Sequence, residues 1–323
     1  MDLVFHYLRS FKELKNVIMY VGVVVIILFF SLTVPNFLSP TNLITILISM
    51  ATIAVLGIGV TFVLTIGEID ISTGALLSVP SVILAVLLRA GFPLLVSLGI
   101  GLISALMIGF LNGVITIKVG LPSFITTLGT SGIAMGLSRI ISGNTPIAVK
   151  NDFLLNLFGK EFFGIPKIVL WMLLLAIVGY FILHKTRFGR NLQCVGDNRE
   201  AAFLYGINIK KTVILAFMIC SIYVFFAGML MLARTSFATP GEGEALVLNA
   251  IVASVIGGTS IQGGKGSIIG ALFGAFFLTV ISNGLFLLKF PSWTSSIIIG
   301  IIILVVLTIS SLREKREREM KRT

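Results

Sequence analysis

Apolar residues along this chain come in long unbroken runs, and polar residues come in short clusters between them. The first run extends from Val17 to Val34, where Pro35-Asn36-Phe37 interrupts it. Dividing the remainder at Gly, Pro and charge clusters gives runs at 42–66, 72–89, 92–117, 122–142, 168–184, 212–233, 245–258, 267–288 and 293–312. A bilayer core takes roughly 20 apolar helical residues. The pattern therefore predicts an all-α polytopic membrane protein with about ten transmembrane helices. The run at 245–258 is short and ends in glycines, which suits a half-helix or re-entrant segment. The run at 17–34 follows Arg9, Lys12 and Lys15 but is not succeeded by a small-x-small cleavage pattern, so it reads as a retained helix.

Composition strengthens this reading. Of 323 residues, 57% are hydrophobic and only 11% charged, with a mean hydropathy of +1.09. Soluble domains carry about twice that charge, so lipid must cover much of the surface. The net charge of +11 suggests nucleic-acid binding until the charges are located. With the N-terminus inside, the outer segments hold Arg89, Arg139, Lys150, Lys160, Lys167, Arg234 and Lys289. The other 17 of the 24 basic residues fall on inner segments and termini. The positive-inside rule then places both termini and the loop 185–211 in the cytoplasm, with 143–167 outside. The tail 313–323 alternates bases with acids and reads as an anchor on anionic headgroups. The expected organisation is one transmembrane domain over 1–323, with a membrane core at 17–312. Cys194, Cys220, His6 and His184 make neither a disulfide framework nor a metal cluster. Hydrolase, zincin and diphosphate motifs are absent.

Three polar segments carry the candidate chemistry. The first is Gly67-Glu68-Ile69-Asp70-Ile71-Ser72-Thr73-Gly74, whose carboxylates are the only acids between Glu13 and Asp152. Two readings stand. Either the acids are solvated in a tight cytoplasmic turn, with Ser72 or Asp70 capping the next helix, or they face a polar path at a helix break, where freed backbone groups need partners. The second segment is the inner loop, where Asp197 and Glu200 make a capping-box pattern, Ala201 and Ala202 continue a helix, and Gly206 stops it. A two-turn helix over 197–206 is too short to persist alone in water, so it must dock on the membrane surface or on a partner. The third is Gly257-Gly258-Thr259-Ser260-Ile261-Gln262-Gly263-Gly264-Lys265-Gly266-Ser267. It fails as a phosphate loop, because Thr259 occupies the first glycine position and Gly266 follows the lysine. Its glycines instead permit a sharp turn between closely packed segments. The stretch from Gly67 to Gly74-Ala75-Leu76 weakly echoes the stretch from Gly263 to Gly270-Ala271-Leu272, as internal repeats in transporters do, although the abundance of Gly, Ala and Leu explains the echo about as well.

In this order, and with Thr186-Arg187-Phe188-Gly189-Arg190 and Gly206-Ile207-Asn208 between them, these motifs resemble those of a permease subunit of a bacterial ABC importer for monosaccharides, of the ribose/xylose/arabinose type. That family belongs to one superfamily with the branched-chain amino acid permeases. The resemblance runs from about residue 17 to 312. It implies a multi-pass subunit of the bacterial cell membrane. The expected partners are a second permease chain, an ABC ATPase subunit and an extracytoplasmic sugar-binding protein. No cofactor is expected, since the partner subunit uses the ATP. The resemblance assigns the inner loop, with Gly189, Arg190, Asp197, Glu200, Ala201, Ala202 and Gly206, to ATPase coupling. It departs at Glu68, where the family usually has a small residue, and between Ala202 and Gly206, which are one residue closer than usual. A neutral sugar needs hydroxyl partners but no counter-charge, so Ser72, Asn112, Asn249 and Asn283 join Glu68 and Asp70 as candidates for the translocation path. Each of these polar residues has an alternative use in a helix–helix hydrogen bond. A rival function is a secondary transporter driven by an ion gradient, with Glu68 and Asp70 as its ion sites.

Overall fold

The computed structural model describes residues 21–291, 293–302, 304–305 and 308. The N-terminal basic segment, the start of the 17–34 run and the basic tail 313–323 lie outside the described residues. Among the described residues, six helices are long and apolar enough to cross a membrane. They are α2 (Pro40–Thr65), α4 (Leu94–Val119), α5 (Ser123–Ser142), α7 (Lys167–Lys185), α10 (Ile209–Thr235) and α12 (Ile268–Leu287). The last five residues of α4, Ile115–Val119, wind as a π-helix that Gly120 ends. Four shorter apolar helices are α1 (Val21–Thr33), α3 (Thr73–Arg89), α11 (Leu246–Ile256) and α13 (Trp293–Ile302). All ten coincide with the predicted runs. At 1.5 Å per residue, α11 is about 16 Å long, roughly half the thickness of a bilayer core. Three further helices complete the described set: α6 (Asp152–Phe158), α8 (Arg187–Asp197) and α9 (Arg199–Leu204). Of these, α6 and α8 were not legible as helices in the sequence. Two antiparallel pairs of two-residue strands, β1 (Ile147–Ala148) with β4 (Phe237–Ala238) and β2 (Glu161–Phe162) with β3 (Ile165–Pro166), tie down the loop 143–167.

Helices α2 and α10 form the centre, and they are among the most deeply buried of the six long helices. Phe62 of α2 stacks on Tyr223 of α10 with ring centroids 5.8 Å apart. The Tyr223 hydroxyl donates to the carbonyl of Leu175 on α7 at 3.0 Å, which satisfies its one buried polar atom. Ser254 on α11 donates to the Gly57 carbonyl of α2 at 2.8 Å. At the far end of α2, the amides of Asn42 and Asn283 bond reciprocally at 3.1 and 3.0 Å. In a lipid environment such contacts replace the hydrophobic drive that helices have in water.

Close approach of backbones does the rest. A Cβ on Gly109 of α4 would meet the Ser221 hydroxyl and would stand 2.8 Å from the Phe217 carbonyl of α10. A Cβ on Gly99, earlier on the same helix, would meet nothing within 4 Å. Overfilling a packed contact costs about 1–3 kcal/mol. Gly109→Val should therefore lower the thermal unfolding midpoint of the detergent-solubilised protein, and Gly99→Val should leave it near that of the parent. Equal midpoints for the two variants would contradict the close α4–α10 contact.

Candidate functional site

The chain leaves α2 through Gly67, whose φ of +77° turns it out of the helix. The Gly67 and Glu68 amides still donate to Leu64 and Val63. After that turn, residues 68–71 belong to neither a helix nor a strand. The first turns of α5 supply the partners. Ser123 Oγ accepts the Ile69 amide at 3.0 Å, and Thr127 Oγ1 accepts the Ile71 amide at 3.1 Å. The Thr127 hydroxyl in turn donates to the Ile69 carbonyl at 3.3 Å. Side-chain hydroxyls of one helix thus stand in for a neighbouring strand.

Asp70 is only 1% exposed, which removes the solvated-turn reading of this segment. Its Oδ1 accepts the Ser72 amide at 2.8 Å and the Ser72 hydroxyl at 2.5 Å. Because that hydroxyl is used as a donor, its lone pairs accept from Asn112 Nδ2 at 2.8 Å. Asn112 Oδ1 then accepts the hydroxyl of Thr130 at 2.7 Å. Asn112 is fully buried, while Thr130 is half-buried on α5. The other carboxylate oxygen, Asp70 Oδ2, is buried and has no partner among the described residues. Neither Asp70 nor Ser72 caps α3 in the expected way, since the Ser72 side chain is committed to Asp70.

Glu68 is also buried, and its Oε1 pairs with Nη2 of Arg199 at the start of α9. Of the six path candidates, Glu68, Asp70, Ser72 and Asn112 come together here. Asn249 is half-buried on α11 and has no hydrogen bond to this cluster among the described residues, and Asn283 serves the α2–α12 contact described above. Composition could not point to Arg199, Ser123, Thr127 and Thr130. Arg199 reads in the sequence as one more inner charge, and the α5 hydroxyls as ordinary membrane-helix residues. The one usable signal was that α5 is the least apolar of the six long helices.

The inner loop departs from its predicted capping. Asp197 ends α8 instead of opening the next helix, and Asn198, extended at φ −156° and ψ 109°, is the cap of α9. Its side-chain oxygen accepts the Ala201 amide at 3.0 Å. A single extended residue separating two helices leaves no room for the expected Asp197/Glu200 box, and Glu200 is exposed. Gly206 stops the helix as expected, with φ +76° and the Ile207 amide returning to the Ala202 carbonyl at 3.0 Å. The two alanines do not form an outward groove-filling face. Ala202 is 2% exposed and packs inward, whereas Phe203, Leu204 and Tyr205 point out, Tyr205 at 87%. Gly189 is buried against the end of α7, and Arg190 is exposed.

All three polar segments meet at the end of α2. The Gly264 amide donates to the Thr65 carbonyl at 2.9 Å. Gly196 of α8 lies so close to both groups that a side chain there would collide with backbone. A Cβ on Gly67 would stand 3.1 Å from the Gln262 carbonyl. The glycines of 257–267 therefore serve a turn wrapped around a helix end, which gives them a use unrelated to phosphate.

The chain matches the family model for the permease component of the branched-chain amino acid transport system over residues 42–307. It is 32% identical over 288 residues to the ribose import permease protein RbsC of Bacillus subtilis, covering 88% of this chain and 89% of that protein. It is 33% identical over 311 residues to the probable ABC transporter permease protein YphD of Escherichia coli, covering 96% and 94%. It is 37% identical over 265 residues to the autoinducer 2 import system permease protein LsrC of Photorhabdus luminescens, covering 82% and 80%. No solved structure shows a significant match. A family match over most of the chain and relatives that align nearly end to end with it make this protein a member of the branched-chain amino acid transport system permease component family.

Proposed function

We propose that the chain is the membrane permease subunit of an ATP-driven importer for a monosaccharide or a similar small polyhydroxylated solute. Its relatives named for ribose and for autoinducer 2 import support that substrate class. A permease component is a transport subunit and not an enzyme, and the ATP is hydrolysed by a separate subunit. The observation that carries the reading is the position of α9. It presents three large apolar side chains to the outside and is bonded on its inner side to the intramembrane break at 68–72. An element that both offers a docking face and touches the polar interior is what an external motor requires. The partners are then an ABC ATPase subunit, a second permease chain and an extracytoplasmic binding protein. Helix α5 supports the second chain. It is the least apolar of the long helices, buries only 28% of its apolar window, and leaves Thr130 and Ser131 half-buried. A face of that kind suits a neighbouring protein surface with a polar path between them better than it suits lipid. On this reading the domain runs through all ten apolar helices, with α11 as a half-span, and both termini are cytoplasmic.

The test is sugar uptake by proteoliposomes holding the permease with its ATPase and loaded binding protein. Uptake should require ATP and persist when ion gradients are collapsed. Uptake driven by an ion gradient without ATP would favour the secondary-transporter reading instead. In the same assay, truncating Phe203 and Tyr205 together to Ala should lower stimulated ATP hydrolysis about tenfold or more, as loss of central interface anchors does. Asp70→Ala should leave the protein in the membrane and cut uptake roughly tenfold, because it strips a buried carboxylate from two donors at about 1–3 kcal/mol. Unchanged uptake by Asp70→Ala would remove this segment from the mechanism. For topology, single cysteines at Lys150 and Arg313, introduced in a Cys194→Ser background, should react with an impermeant reagent in intact cells only at 150. Labelling at 313 would overturn the cytoplasmic assignment.

A further inference from the structure

We propose that Arg199 is a positioning residue for transport: its ion pair with Glu68 is the strut through which displacement of α9 reaches the intramembrane segment 68–72. The inference rests on the reading of α9 as the ATPase-docking helix and goes beyond it by naming the connection inward. Two features of the loop make α9 the movable part. Helix α8 is held firmly, with Gly189, Leu192 and Val195 buried and Gly196 pressed on the end of α2. Helix α9 has six residues, of which only Ala202 is buried, and it is joined to α8 by the single extended residue Asn198. A push on Phe203, Leu204 or Tyr205 therefore pivots α9 about Asn198. Arg199 is the first residue past that pivot.

The receiving end is equally specific. Glu68 is buried and its Oε1 is held by Arg199, whose side chain is 43% exposed at the protein surface. A buried carboxylate that loses its partner is strongly destabilised, so segment 68–72 must move with the guanidinium or reorganise. The polar cluster is tied to that segment and moves with it. Ile69 and Ile71 are bonded to Ser123 and Thr127 of α5. Asp70 is bonded through Ser72 and Asn112 to Thr130. Displacement at one charged group thus arrives at two neighbouring helices, α4 and α5. The contact of Gly196 with Thr65 and Gly264 is a backbone anchor and offers no such route, because it holds α8 and not α9.

The deciding measurement is sugar imported per ATP hydrolysed by the complete reconstituted complex. Arg199→Gln and Glu68→Gln should each assemble and keep hydrolysis stimulated by loaded binding protein. Each should import at least about fivefold less sugar per ATP, the low end for coupling between two sites. Arg199→Lys should restore most of the ratio. The Glu68→Gln/Arg199→Gln double variant should be no worse than the worse single one, because both singles remove the same pair. A ratio unchanged in Arg199→Gln, or single losses that multiply in the double variant, overturns the strut. A purely structural role would lower assembly and hydrolysis together and leave the ratio alone. If the Gln variants fail to insert, Glu68→Cys/Arg199→Cys in a Cys194→Ser background decides the matter. Joining the two thiols with a short bismaleimide should raise the ratio above that of the unjoined pair, and failure to do so overturns the proposal. The parent complex distinguishes the layers: no ATP-driven import by it defeats the functional reading itself, whereas import by it with an indifferent Arg199 defeats only the strut.

Discussion

A backbone that leaves the helix inside a membrane must find hydrogen-bond partners that lipid cannot supply. The packing around residues 66–72 of this protein meets that requirement. Helix α2 ends at Thr65 and α3 begins at Thr73, and amides between them are taken by Ser123 and Thr127 of α5. Those bonds place α5 against the break and bring Thr130 within reach of Asn112. They also leave a narrow polar cluster in which a carboxylate can be buried. Without the α5 hydroxyls, the break would be open backbone in hydrocarbon, and the carboxylates would have no reason to stay.

The two carboxylates use this setting differently. Asp70 faces inward and is held by the Ser72 amide and hydroxyl, with Asn112 and Thr130 bonded in series beyond them. Glu68 faces the loop and is held by the guanidinium of Arg199, 131 residues further along the sequence. One acid is therefore tied to the helix packing and the other to the loop, although a single residue separates them. That division ties one short extended segment both to the helix bundle and to the loop.

Much of this was legible in the sequence, for a physical reason. Apolar runs bounded by glycine, proline and charge locate the apolar helices among the described residues, because exclusion of charge from lipid is a strong local signal. The stops at Gly67 and Gly206 were also readable, since a positive φ is natural for glycine in those settings. The fine structure of the inner loop was not. Asp197 with Glu200 fits a capping box as well as Asn198 does, and only the presence of α8 before it, closing at Asp197, decides between them. The side of α9 that faces inward depends on what it rests on, so Ala202 could not be assigned a face. The pairs Glu68–Arg199, Asn112–Thr130 and Asn42–Asn283 join residues whose meeting is set by helix packing, and no local pattern carries that information.

The central claim is that the break at 66–72 changes state when the docking helix does. Amide hydrogen exchange resolves this directly, because the Ile69 and Ile71 amides are each held by a single hydroxyl of α5. Exchange should be measured in the complete transporter at rest and again with the ATPase trapped in its ATP-bound state. If the segment moves with α9, protection at 68–72 should change together with protection at 199–206, while the flanking residues of α2 stay constant. Altered protection at 199–206 with identical protection at 68–72 in the two states would contradict it.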